Sequence, residues 1–180
     1  MAKGTVLTLS DLYADSSLYT NVEASVPPAE LKDNVIVFEA ETGCKYQRCT
    51  YCMIYDGVRY SPKSLEQFNA NVDKVWGRVD PSLAMDFTRQ FVTGGNVLGF
   101  KTDKLEKMVE HLERRFYENT DRYPERTALY GRTDSILMQG KEGLGRINCG
   151  NLGYGVNLIF WGLESGSTKV LDYVRKGYTQ

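Results

Sequence analysis

Four short apolar runs, each followed by a cluster of polar residues or glycines, set the pattern of this chain. The runs are 35–38 (Val-Ile-Val-Phe), 90–93 (Gln-Phe-Val-Thr), 127–130 (Thr-Ala-Leu-Tyr) and 157–161 (Asn-Leu-Ile-Phe-Trp). Short apolar runs bounded by turn residues are typical of strands that are buried on both faces. The pattern therefore predicts four strands, and their burial indicates a parallel sheet.

Amphipathic helices are predicted between these strands. Ser61-Pro62 offers a helix start, and Thr102 is a candidate N-cap for a second helix. We expect His111, beside the polar face of the second helix, to be exposed. Residues 136–155 hold six glycines and have a poor helical pattern, whereas Ser167 can cap a last helix. The apolar stripes of the first two helices follow helical spacing: Leu65, Phe68, Val72, Val75, Trp76 and Val79, then Leu105, Met108, Val109, Leu112 and Phe116.

Alternating strands and helices predict an α/β fold with right-handed crossovers. We predict one domain over residues 35–180 and an N-terminal extension over residues 1–34 that packs beside it. The polar and glycine clusters all follow strands, and ligands of parallel α/β folds bind at the carboxyl ends of the strands. The segments around Cys44, Gly94, Arg132 and Glu164 should therefore share one edge of the sheet.

Composition narrows the class of protein. The chain has 180 residues, 42% of them hydrophobic and 25% charged, which fits a globular domain with a sizeable core. A net charge of −1 gives no sign of a nucleic-acid surface. No apolar run approaches the roughly 18 residues of a membrane span, and the N-terminus lacks the apolar core of a signal peptide. We therefore expect a cytoplasmic protein.

Three cysteines within nine residues, Cys44, Cys49 and Cys52, are the strongest chemical signal. Clustered cysteines in a reducing compartment favour metal or redox chemistry over disulfides. Three thiolates on a four-iron cluster would leave one iron open for a ligand. A ferredoxin-type cluster with Cys149 as fourth ligand, a zinc site completed by Cys149 or His111, and plain cysteines without a cofactor are the alternatives.

The arrangement Cys-x4-Cys-x2-Cys after the first strand resembles that of radical S-adenosylmethionine enzymes. Tyr51 stands where that family has an aromatic residue, and Gly94-Gly95-Asn96 resembles its Gly-Gly-acid turn. The segments 131–135 and 162–167 are similar to those after its third and fourth strands. Two differences stand out: the family's commonest first cysteine gap is one residue shorter, and its acid is here Asn96.

The resemblance implies a partial TIM-like (β/α) barrel with about four of six expected β/α units, so we expect a chain truncated at the C-terminus. It also implies that the three cysteines bind a [4Fe-4S] cluster whose open iron binds S-adenosylmethionine. Reductive cleavage would then give a 5′-deoxyadenosyl radical that abstracts hydrogen from an unknown substrate. An electron donor such as a flavodoxin or ferredoxin is implied as partner. The implied cofactor contacts are Tyr51, Gly94, Gly95, Asn96, Arg132, Glu164 and Ser165.

Overall fold

A four-stranded parallel sheet with helices packed against it forms the centre of the computed structural model, which describes residues 8–20, 25–30, 34–149 and 155–177. In chain order the elements are α1 (Leu9–Ala14), β1 (Val35–Glu39), β2 (Glu41–Thr42), β3 (Ser61–Pro62), α2 (Leu65–Trp76), α3 (Pro81–Ala84), β4 (Arg89–Thr93), a 3-10 turn (Val97–Gly99), α4 (Thr102–Thr120), β5 (Arg126–Arg132), α5 (Thr133–Cys149), β6 (Val156–Gly162) and α6 (Thr168–Tyr173).

The sheet runs in the order β1-β4-β5-β6, and every neighbouring pair is parallel. All four predicted strands are confirmed, and so is the α/β class. Because strands follow chain order and point the same way, their carboxyl ends lie along one edge. Strands β2 and β3 form a separate antiparallel pair at the end of β1. Within the described ranges, no helix combines the length and apolarity that a bilayer crossing requires.

The core lies between the sheet and helices α2 and α4. Both predicted stripes point inward, and Trp76 at the end of α2 is 3% exposed. Its ring lies 5.8–6.2 Å, centroid to centroid, from those of Phe38, Phe87 and Phe116. Aromatic contacts at these spacings stabilise a core beyond the area that they bury. The carboxyl edge of the sheet is therefore supported by a tightly packed core.

The N-terminal segment covers one edge of the sheet. Strand β1 has β4 on one side only, so carbonyls on its other side need partners. Tyr13 Oη donates to Val35 O at 2.6 Å, and Tyr19 Oη donates to Val37 O at 2.7 Å. Leu12 on α1 is fully buried. Residues 8–20 therefore pack beside β1 as well as satisfying its backbone.

Two predicted helix starts are wrong in detail. Helix α2 begins after Ser64, whose capping box with Gln67 satisfies the first turn, whereas Ser61-Pro62 pairs with β2. Thr102 is the first residue of α4 and not its cap. The glycine-containing region forms helix α5 as far as Cys149, interrupted at Gly140, where φ is 59°.

The prediction that His111 is exposed is also wrong. Helix α2 packs beside it, leaving it 7% exposed. Arg114 Nη2 donates to His111 Nδ1 at 2.7 Å, so Nε2 carries the proton donated to Asp73 Oδ1 at 3.0 Å. A residue that the helical wheel places near the polar face of α4 thus forms a contact with helix α2.

Candidate functional site

The cysteine loop, residues 43–60, leaves the carboxyl end of β1 and returns to α2. Its base is held by the antiparallel pairing of β2 with β3. Gly43, with φ of 74°, begins the loop in the left-handed region that favours glycine. A long irregular loop fixed at its base is commonly functional. The sequence thus folds into a closed loop at the edge where ligands bind in parallel α/β proteins.

Cys44, Cys49 and Cys52 line one cavity of about 750 Å³ within this loop. All three are partly buried free thiols. Burial raises the pKa of Cys49, while the positive charges of Lys176 and Arg132 oppose that rise. Cys44 and Cys52 raise it further, so the three sulfur groups are close enough to interact. The cavity therefore presents three thiols to one shared space.

Among the residues that the structure describes, no three His, Cys, Asp or Glu side chains converge tightly enough to hold a single metal ion. A four-iron cluster makes a different demand, because each of the three cysteines binds a different iron around a cube. A cavity lined by three separated thiols suits that demand. His111 lines a different cavity, and the side chain of Cys149 lies outside the described residues.

A second cavity of about 300 Å³ adjoins the first, since Cys52 and Tyr55 line both. It is bordered by the cysteine loop and by the carboxyl ends of β4, β5 and β6. Its aromatic lining residues are Tyr51, Tyr55, Tyr130, Phe160 and Trp161. Of the seven predicted cofactor contacts, it brings together Tyr51, Gly94, Gly95, Arg132 and Glu164.

The two remaining predicted contacts lie outside this cavity's lining. Asn96 borders a neighbouring cavity of about 340 Å³. Its Nδ2 donates to Ser135 Oγ at 2.7 Å, and its Oδ1 accepts from Arg132 N at 3.0 Å. Ser165 Oγ accepts from Ser167 N at 3.0 Å. The Asn96 amide thus joins the ends of β4 and β5, while Ser165 stabilises the turn before α6.

The glycine turn after β4 packs directly on the cysteine loop. Gly95 N donates to Gly43 O at 3.3 Å. A Cβ added to Gly95 would lie 2.5 Å from Cys44 Cβ, and one added to Gly94 would overlap Glu41. Gly94 also has φ of 153°, which L side chains rarely adopt. Bare backbone is therefore required for this turn to approach Cys44 so closely.

Glu41 is a candidate site residue that the sequence analysis missed. Its carboxylate is 3% exposed and lies against the glycine turn. Oε1 accepts from Asn96 N at 2.7 Å, and Oε2 accepts from Tyr60 Oη at 3.1 Å. Burial raises the pKa of Glu41. The available signal was its position two residues after the end of β1, just before the cysteine loop.

Lys176 is the second missed residue. Its side chain is 7% exposed, and Nζ donates to Glu164 Oε1 at 2.8 Å and to Tyr51 Oη at 2.9 Å. Burial acts to raise the pKa of Glu164, but its hydrogen bonds with Lys176 and Tyr51 outweigh that effect and lower it. No local pattern marks this lysine, because its partners lie on other elements.

The segment after α6 crosses back over the cysteine loop. Tyr46 Oη donates to Arg175 O at 2.7 Å, and Thr50 N donates to Val174 O at 3.0 Å. Arg132 Nη2 donates to Lys176 O at 2.8 Å, while its guanidinium lies 4.1 Å from the centroid of the Tyr46 ring. Arg132 at the end of β5 and the segment after α6 thus both hold the cysteine loop in place.

No family model matches this sequence, and no curated protein is significantly similar to it.

Proposed function

We propose that this chain is the core of a radical S-adenosylmethionine enzyme, with Cys44, Cys49 and Cys52 as the ligands of a [4Fe-4S] cluster. The observation that carries the proposal is the shared lining of one cavity by all three thiols. The adjoining cavity supports it, because Cys52, one of the three proposed ligands, borders both spaces. A cluster ligand beside a second pocket is what a cofactor bound to an open iron requires.

In this proposal the chain's own residues bind and orient S-adenosylmethionine in the second cavity. The backbone of Gly94 and Gly95 and the nearby carboxylate of Glu41 suit the cofactor's ammonium group. Arg132 suits its carboxylate, since guanidinium groups form strong charge-assisted bonds with carboxylates. Asn96 acts indirectly, by fixing the backbone of Arg132 through a 3.0 Å hydrogen bond.

The rest of the second cavity suits the nucleoside. Tyr51 and the neighbouring aromatic side chains provide a surface for adenine, and Glu164 provides an acceptor for ribose hydroxyls. Ser165 is proposed as a further ribose contact. When bound, the cluster supplies the electron that cleaves the sulfonium bond; the protein positions the reactants and excludes water.

The wider context follows from the same proposal. The parallel sheet and the cavities at its carboxyl edge support a TIM-like (β/α) barrel, of which four strands are described. We propose a cytoplasmic location and a flavodoxin or ferredoxin as electron donor. The substrate that would lose hydrogen is unidentified.

Anaerobic reconstitution with iron and sulfide tests the proposal. We expect about four irons per chain and an electron paramagnetic resonance spectrum that changes when S-adenosylmethionine is added. A stable two-iron cluster, or stoichiometric zinc with no response to S-adenosylmethionine, would instead indicate an electron-transfer or zinc-stabilised binding module. Either result would overturn the enzyme assignment.

Single substitutions distinguish the ligand sets. Cys49→Ala should abolish cluster binding, because two remaining thiolates cannot hold the cluster. Cys149→Ala is the matched control, and it should retain about four irons. Loss of iron in the Cys149 variant would favour the four-cysteine alternatives. Retention of four irons by the Cys49 variant would contradict the ligand assignment.

A further inference from the structure

Two buried cations, Lys176 and Arg132, lie beside the cysteine loop without being metal ligands. The side chains are each 7% exposed, so water screens their charges weakly. Both act electrostatically on Cys49. Lys176 also donates to Tyr51, two residues along the loop, at 2.9 Å. The positive charge is therefore held in a fixed position near the thiols.

Each of these two cations pairs with a carboxylate, and the two carboxylates differ in solvent exposure. Arg132 Nε lies 3.1 Å from Asp134 Oδ1, on a carboxylate that is 54% exposed. Lys176 Nζ lies 2.8 Å from Glu164 Oε1, on a carboxylate that is 33% exposed. The Lys176–Glu164 pair is the more enclosed of the two, and it borders the second cavity. A change in either member alters the net charge in a partly dehydrated site.

A charge near an iron–sulfur cluster acts directly on its reduction. Reduction adds one negative charge to the cluster, so a nearby cation favours the reduced state and a nearby anion disfavours it. Net charge, hydrogen bonds and solvent exposure are the levers by which proteins set cluster potentials. Charges at exposed surface positions have much smaller effects because solvent and salt screen them.

We propose that Lys176 and Glu164 form a charge pair that sets the reduction potential of the cluster bound by Cys44, Cys49 and Cys52. Lys176 raises the potential, and Glu164 limits that rise. This inference rests on the proposed function, and it adds an electrostatic role for a lysine that binds no iron.

Opposite changes in the two partners give the test. Each protein is reconstituted anaerobically without S-adenosylmethionine, and the cluster potential is measured by redox titration followed by electron paramagnetic resonance. Lys176→Met should make reduction at least tenfold less favourable, a shift of about 59 mV to more negative potential for one electron. Glu164→Gln should shift the potential in the positive direction, because the amide keeps a hydrogen-bond acceptor but removes the negative charge.

Two controls separate charge from structure. Lys169→Met removes the same charge from an exposed position on α6, and it should leave the potential unchanged. Lys176→Arg keeps the charge, and it should restore most of the potential lost in Lys176→Met. Omitting S-adenosylmethionine ensures that a contact of Glu164 with the nucleoside does not enter the measurement.

Shifts of opposite sign support the charge pair. Equal potentials in wild type and Lys176→Met, or shifts of the same sign in both variants, overturn it while leaving the proposed function intact. If Lys176→Met fails to fold, Glu164→Gln decides alone: a higher potential supports the inference, and an unchanged or lower one overturns it. A wild-type protein that binds no four-iron cluster overturns both proposals.

Discussion

Replacing Gly95 with alanine tests how closely the glycine turn after β4 packs on the cysteine loop. The added Cβ would lie 2.5 Å from Cys44 Cβ and 2.7 Å from Cys44 Cα, whereas ordinary van der Waals contact begins at 3.4 Å. Roughly 0.9 Å of movement is therefore needed at the closest contact. These atoms belong to the backbone or are fixed to it, so no side-chain rotation relieves the overlap.

The overlap has two measurable consequences. Overpacking of a well-packed site costs about 1–3 kcal/mol, so the free energy of unfolding of the iron-free protein should fall by that amount. Displacement of Cys44 should also reduce cluster binding, because metal–ligand distances tolerate only about ±0.2 Å. Both effects arise from one contact, and they should therefore appear together.

Urea unfolding followed by circular dichroism measures the first effect, and iron content after anaerobic reconstitution measures the second. Gly145→Ala is the matched control, because a Cβ at Gly145 meets nothing within 4 Å and the residue lies in helix α5. It should raise stability by about 0.5–1 kcal/mol and leave iron binding unchanged. A Gly95→Ala protein with wild-type stability and about four irons would refute the close packing.

Two further predictions concern the start of α2 and the buried acid. Ser64→Ala should lower the free energy of unfolding by about 1 kcal/mol, because it removes the capping box. Ser61→Ala in β3 should have little effect in the same urea assay. Equal losses in the two variants would contradict the observed helix start. Burial raises the pKa of Glu41 above its ordinary value, so the folded protein binds the extra proton and its carboxylate destabilises the fold increasingly as pH rises through that pKa. Glu41→Gln should therefore gain stability relative to wild type as pH rises above the ordinary pKa of a glutamate, by about 1.4 kcal/mol for each pH unit between the unfolded and folded pKa values. A stability difference that is independent of pH would contradict this reasoning.

The elements that sequence predicts well are those in which one chemical property repeats. The four strands are runs of apolar residues, and burial on both faces follows directly from that pattern. The stripe on α4 is likewise visible at helical spacing. His111 shows where such patterns fail, because its burial depends on Asp73 from another helix. Position on a helical wheel does not reveal which neighbour will cover it.

In the candidate site, too, the sequence predicts some residues and misses others. The cysteines are close together in sequence, so their spacing alone indicates a common centre. Glu41 and Lys176 are not marked by spacing, because each reaches the site through contacts between distant elements. Asn96 illustrates the reverse case: the motif gives its position, while its hydrogen bonds with Ser135 and Arg132 give its role.

The crossing of residues 174–176 over the cysteine loop has a consequence for biosynthesis. Tyr46 and Arg175 are 129 positions apart, so this contact closes a loop that contains most of the chain. Contacts of such long range form late, because the entropy of closing the loop must be offset by other interactions. The ribosome releases the three thiols well before it completes the segment that encloses them. Iron delivered before residues 174–176 are synthesised would therefore meet an unfinished pocket, and cluster insertion is expected to follow synthesis of that segment.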